Sequence, residues 1–137
     1  MGRILAVDYG TKRVGLAVTD PLKIIATGLD TVHSKDVVQY LKDYLAKEEV
    51  EAFVVGVPYK DDGSPTNNTQ HCKGFITTLK KQFPNLPVHE QDEAYTSVRA
   101  MESMIAAGSK KKDRRKKENI DKVSAVLILQ EYLNSIS

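Results

Sequence analysis

Ile4-Leu-Ala-Val-Asp8-Tyr-Gly10-Thr-Lys-Arg13-Val-Gly-Leu-Ala-Val-Thr19 is the stretch whose reading decides the fold. Two apolar runs flank Gly10-Thr11-Lys12, a pattern that predicts a strand, a tight turn and a second, antiparallel strand. Asp8 lies inside the first run. An ionised carboxylate at a half-buried strand position is costly unless something cationic pairs with it. A salt bridge, a bound metal, or a phosphate-bearing ligand with its metal would each meet that cost. Thr11, Lys12 and Arg13 follow at once and suit a phosphate group. The competing reading is a hairpin whose Asp simply favours the turn.

Working outward, residues 3–9 and 13–19 are the first two predicted strands, and a third runs from Ile24 to Leu29 after Asp20-Pro21. The short spacings predict an antiparallel meander. Ser34 is placed as the N-cap of a helix with Val37, Val38, Leu41 and Leu45 on one face, ending near Glu49. Ala52 to Val57 is an unbroken apolar run stopped by Pro58, the pattern of a strand covered on both faces. Turn formers fill Tyr59 to Asn68, and Asp61-Asp62-Gly63-Ser64 reads as a turn. Phe75, Ile76, Leu79 and Phe83 then fall at helical spacing, and Val88 to Gln91 is a short strand. Thr96 caps a further predicted helix that Gly108 ends, and Asn119 is placed as the cap of a largely buried final helix. The order βββ-α-β-α-β-α-α predicts one α/β domain over residues 1–137. Its five-stranded mixed sheet, three antiparallel strands followed by α/β units, has helices on its faces. That is a ribonuclease H-like arrangement.

Composition narrows the function. The chain has 41% hydrophobic and 28% charged residues, which is globular usage. Its one cysteine, Cys72, excludes an intrachain disulfide, no signal peptide opens the sequence, and the longest apolar run, Ala125 to Leu129, is far too short for a bilayer. A soluble cytoplasmic protein with no membrane partner is expected. Net charge is +2, yet residues 108–118 alone hold seven Lys/Arg against two acids, which leaves 13 basic and 16 acidic groups elsewhere. A slightly acidic body carrying one strongly basic segment points to a partner with clustered negative charge, nucleic acid above all. A solvated loop that only aids solubility is the plainer alternative.

Three acids occupy unusual places for structural residues: Asp8 in the first strand, Glu93 after the last strand, and Asp121 in the first turn of the final helix. In a ribonuclease H-like sheet the first strand is central, so the three would converge at one end. At ~5 Å and an effective dielectric of ~20, each ionised pair would cost roughly 3 kcal/mol. A divalent cation removes that conflict, and Mg²⁺ or Mn²⁺ prefers oxygen ligands. Two such ions would suit phosphodiester hydrolysis. Taken singly, Asp121 reads as a helix-dipole partner and Glu93 as a surface residue, and Asp92 competes for the same position. The basic residues Lys110, Lys111, Lys112, Arg114, Arg115, Lys116 and Lys117 would hold a phosphate backbone without reading bases. Tyr9 and Tyr59 either stack on bases or pack. His33, His71 and His89 are scattered, and the adjacent His71-Cys72 would diverge on a helix, with Cys72 packed beside Phe75.

On these residues the chain resembles the YqgF/RuvX-like proteins over nearly its whole length. The resemblance rests on Ala6-Val-Asp8-Tyr-Gly10-Thr-Lys-Arg13-Val-Gly15, Gly56-Val-Pro58 with Asp62-Gly63-Ser64, Asp92-Glu93-Ala-Tyr-Thr96-Ser97, and Asp121-Lys-Val-Ser-Ala125-Val-Leu-Ile-Leu-Gln130. It implies a nuclease, with maturation of the 5′ end of pre-16S ribosomal RNA or resolution of Holliday junctions as its task. The family's acidic residues fall on Asp8, Glu93 and Asp121. Where the family has Arg after the Asp-Glu pair, this chain has Ala94, and Lys12, Arg13, Arg99 or the basic segment would compensate. That departure also keeps a non-catalytic nucleic-acid-binding module open. Actin-like ATPases begin with a similar strand and Asp-x-Gly-Thr turn, but they need a second domain that 137 residues do not supply. A monomer or weak homodimer is expected, since no apolar face announces a stable one.

Overall fold

Alternation along the first strand sets the architecture. In the computed structural model, which describes residues 2–60, 62–92 and 117–136 (side chains from 122 onward in the last segment), β1 spans Arg3–Tyr9, β2 Arg13–Thr19 and β3 Ala26–His33. Then come α1 (Val37–Lys47), β4 (Val50–Val57), α2 (Thr69–Gln82), β5 (Val88–Asp92) and a last helix, here α3 (Lys117–Ile136). The sheet order is β3-β2-β1-β4-β5, with β2 antiparallel to both β1 and β3, and with β4 and β5 parallel to the central β1. This is the mixed five-stranded α/β sheet that the element order predicts.

Odd and even residues of β1 enter different cores. Leu5 and Val7 join Val14, Leu16, Phe53, Val55 and Val57 beneath α1 and α2, which contribute Val37, Leu41, Phe75 and Leu79. Ile4 and Ala6 join Ala17 and Val54 beneath α3, which contributes Ala125, Ile128 and Leu129. Period-two alternation gives this division directly, since successive side chains leave opposite faces of a strand. Among the described residues, no helix is long and apolar enough to cross a membrane.

Several boundaries differ from the sequence reading: β4 already begins at Val50 and β5 runs on to Asp92, and three other differences have a local cause or bear on capping. β3 starts at Ala26 because the Asp20 carboxylate accepts the backbone N–H groups of Ile24 and Ile25, both at 2.8 Å, and so claims them for the turn. The strand then continues through Asp30 to His33, paired with Leu16 to Arg13. Asp36, not Ser34, precedes α1, because Ser34 is engaged elsewhere. Asn119 lies inside α3 and is not its cap. The helix predicted from Thr96 to Gly108 lies outside the described residues.

Candidate active site at the carboxyl ends of the parallel strands

β1, β4 and β5 all end on the same side of the sheet, and Asp8 is the next-to-last residue of β1. It shares strand parity with Ile4 and Ala6, so its half-buried side chain leaves the sheet on the α3 face, beside its register partner Gly15. The following turn is tight by necessity. A Cβ on Gly10 would sit 2.6 Å from the Arg13 carbonyl oxygen, closer than atoms can pack, so only glycine closes it. Thr11, Lys12 and Arg13 are thereby held just beyond Asp8. Ser34 secures the turn from β3: its hydroxyl donates to the Thr11 carbonyl at 2.6 Å and its backbone N–H to that of Lys12 at 3.1 Å.

The other face fixes the strand end. Tyr9 stacks on Phe75 with ring centroids 4.6 Å apart, which gives it a packing role. Its carbonyl accepts from the Asn68 amide at 3.0 Å and the Cys72 thiol at 3.7 Å. The Thr69 hydroxyl donates to the Pro58 carbonyl at the end of β4 and itself accepts from the Thr66 backbone N–H. Asn68 and Thr69 are therefore positioning residues that sequence reasoning missed. The only signal was a polar run before a helix. Asp62 forms the predicted turn, accepting from the Ser64 N–H at 2.9 Å and hydroxyl at 2.6 Å, with Gly63 at φ +85°. The Ser64 hydroxyl holds that carboxyl below the usual carboxylate range. The Tyr59 ring lies 5.8 Å from the Lys73 ammonium.

α3 runs antiparallel to β1. Its Lys122 lies against Gly28 in β3, whereas Leu133 and Asn134 lie beside Ile24 and Ile25 at the far end of the sheet. Ala125 packs in the cluster that contains Ala6. One helical turn back from Ala125 is Asp121, and two residues on from Ala6 is Asp8. Each step covers about 6–7 Å in the same direction, so the helix position of Asp121 falls at the Asp8 end of the sheet. The Asp121 and Lys117 side chains lie outside the described residues. Ser124, three residues on, is 1% exposed, and among the described residues its hydroxyl has no hydrogen-bond partner. A buried orphan hydroxyl is costly, on the order of 1–3 kcal/mol.

Register fixes the face of Asp92. Asp92 pairs with Val57 and shares parity with Val88, so it leaves the sheet on the α1–α2 face, away from Asp8. His89 and Gln91 have the opposite parity, and His89 stacks on Tyr132 of α3 at 5.3 Å. Glu93, Ala94, Arg99, Lys110, Lys111, Lys112, Arg114, Arg115 and Lys116 lie outside the described residues. Among the described residues, no three His, Cys, Asp or Glu side chains gather as a metal site. Cys72 is buried beside Phe75, as expected, and His71 is exposed.

Comparison with known proteins gives this geometry a context. The family described as "RuvX: Holliday junction resolvase" matches residues 2–135. A protein of Amoebophilus asiaticus named "Putative pre-16S rRNA nuclease" is 52% identical over 137 residues, covering 98% of this chain and 96% of its own length. A protein of the same name from Parabacteroides distasonis is 48% identical over 135 residues, with the same coverage. Among solved structures, Thermus thermophilus RuvC in complex with a Holliday junction substrate superimposes with a TM-score of 0.57 at 14% identity, covering 100% of this chain and 97% of that one. At that identity the likeness speaks for the fold, which is RuvC-like and ribonuclease H-like.

Proposed function

This chain belongs to the RuvX family, and from that membership we propose that it is a metal-dependent endonuclease acting on structured nucleic acid, with the 5′ end of precursor 16S ribosomal RNA as its substrate. The observation that carries the reading is Asp8: a half-buried carboxylate on the central strand, on the face that α3 covers and at the end where α3 begins. Asp8, Glu93 and Asp121 form the proposed acid set. Asp92 leaves the sheet on the face away from Asp8, which favours Glu93 for the set. The set offers only carboxylate oxygens, a donor chemistry that fits Mg²⁺ or Mn²⁺, and the orphan hydroxyl of Ser124 adds a further oxygen on the buried face of the same helix. When bound, one or two such ions would supply Lewis-acid polarisation of the scissile phosphate and an acidified water.

The chain's own residues do the rest. Thr11, Lys12 and Arg13 hold the phosphate next to Asp8, in a turn that Gly10 and Ser34 keep closed. Arg99 and the basic residues 110–117 hold the flanking backbone, and their point charges replace the guanidinium absent at Ala94. The protein would work in the cytoplasm, as a monomer or weak homodimer.

The decisive experiment offers a precursor ribosomal RNA 5′ end and a four-way DNA junction to wild type and Asp8→Asn, each with manganese. Cleavage of the RNA should fall at least ~100-fold in the variant, about 2.7 kcal/mol of barrier. Undiminished cutting would remove Asp8 from the mechanism. Preferential, paired cutting of the junction would favour the second reading, a Holliday junction resolvase, which the family description supports. Salt-sensitive binding without turnover under any divalent ion would leave a non-catalytic module, the outcome that Ala94 makes worth testing.

A further inference from the structure

We propose that the corner where β2 meets β3 is a separate phosphate subsite, in which His33 and Lys35 hold a neighbouring phosphodiester of the strand being cut, beyond the one at Asp8. This rests on the reading of the chain as a nucleic-acid-processing protein. Arg13 and His33 are the last register pair of the β2–β3 ladder. By alternation with Gly15 and Thr31, both lie on the face that carries Asp8. Directly opposed residues of an antiparallel pair have their Cβ atoms about 4.5–5.5 Å apart, so the guanidinium and the imidazole rise from adjacent positions.

The corner is a fixed structure. The two hydrogen bonds from Ser34 tie the chain leaving β3 to the carbonyls of Thr11 and Lys12, which brings Lys35 and Lys12 onto one rim. The Lys35 backbone N–H donates to His33 Nδ1 at 3.2 Å, which orients the ring and leaves Nε2 as its outward donor. The Asp36 N–H bonds the His33 carbonyl at 2.9 Å, closing the corner into α1. Lys12, His33 and Lys35 are all exposed, and among the described residues neither lysine has an ion-pair partner. A bare solvated rim would need none of these bonds. His33 lies one strand farther from Asp8 than Arg13 does, about 5 Å, which suits a phosphate adjacent to the scissile one.

The test measures binding of the full chain to a precursor ribosomal RNA 5′ fragment by fluorescence anisotropy across a salt series, without divalent ions. His33→Ala with Lys35→Glu should flatten the slope of log affinity against log salt by roughly 0.7–0.9 for each phosphate that is no longer neutralised. It should also weaken binding several-fold and leave the single-turnover rate at saturating substrate within about twofold. Lys80→Glu, at an exposed position of α2, is the control and should leave the slope unchanged. If the double variant melts early, Lys35→Gln alone should give the same change at reduced size. A wild-type slope and affinity in both variants would overturn the subsite alone. Absence of salt-dependent binding by the wild type would overturn the nucleic-acid reading and the subsite together.

Discussion

The two faces of this sheet differ in where their small side chains fall. Under α1 and α2 the largest fully buried residues are Phe53, Leu5, Leu16, Leu41 and Leu79, with no alanine among the described residues of that cluster; under α3, Ile4, Val54, Ile128 and Leu129 are interleaved with Ala6, Ala17 and Ala125. Large side chains keep helices at ordinary packing distance and make a thick, dry layer. Small ones let a helix approach: a Cβ on Gly28 would lie 3.6 Å from the Lys122 Cβ, in plain van der Waals contact. The thick face supplies cohesion. The other face carries the helix that contains Asp121 against the sheet whose central strand contains Asp8. On the proposed reading, stability and chemistry fall to opposite sides of one strand, residue by alternate residue.

Truncating the thick face should have the largest effect on stability. Phe53→Ala should cost about 3–5 kcal/mol in denaturant melts, because Phe53 is fully buried at the centre of that core. A loss below about 1 kcal/mol would break the division. Ala17→Leu should cost about 1–3 kcal/mol through overpacking against α3. It should also reduce cleavage beyond the fraction unfolded, by lifting the helix from Asp8. If cleavage merely follows stability, the close approach of α3 has no bearing on the site. The smallest effect belongs to the far end of the sheet. Asp20 is held below the usual carboxylate range, chiefly by the Ile25 N–H and further by those of Ile24 and Leu22. A lowered folded pKa contributes stability that is complete above the unfolded value of about 3.9 and is lost as pH falls through the folded one. The melting-temperature gap between wild type and Asp20→Asn should therefore be clear at pH 7 and shrink towards pH 2.5. A gap that stays constant with pH would place the cause outside this carboxylate.

Much of the fold was legible because alternation and Gly10 are local signals. β1 and β2 lie at their predicted residues, and the element order was sufficient for the sheet. Side-chain capture of backbone was harder to read. Asp20 claims Ile24 and Ile25, and Ser34 crosses to Thr11 at a separation of 23 residues, contacts that propensity does not encode. At the candidate site, Asp8 was conspicuous as a charge in an apolar run. The face of Asp92 needed a register, because adjacent strand residues point to opposite faces and sequence does not say which is which. Asn68 was invisible because its partner, the Tyr9 carbonyl, lies 59 residues away.

Cys72, which bonds the same Tyr9 carbonyl, turns that contact into an instrument. The lone thiol is fully buried and leans on the carbonyl of the residue after Asp8, so no alkylating reagent reaches it while the strand end is seated. Its labelling half-life therefore counts how often the acid-bearing strand lifts from its helix. An unmutated sample thus carries its own clock for breathing at the Asp8 end of the sheet.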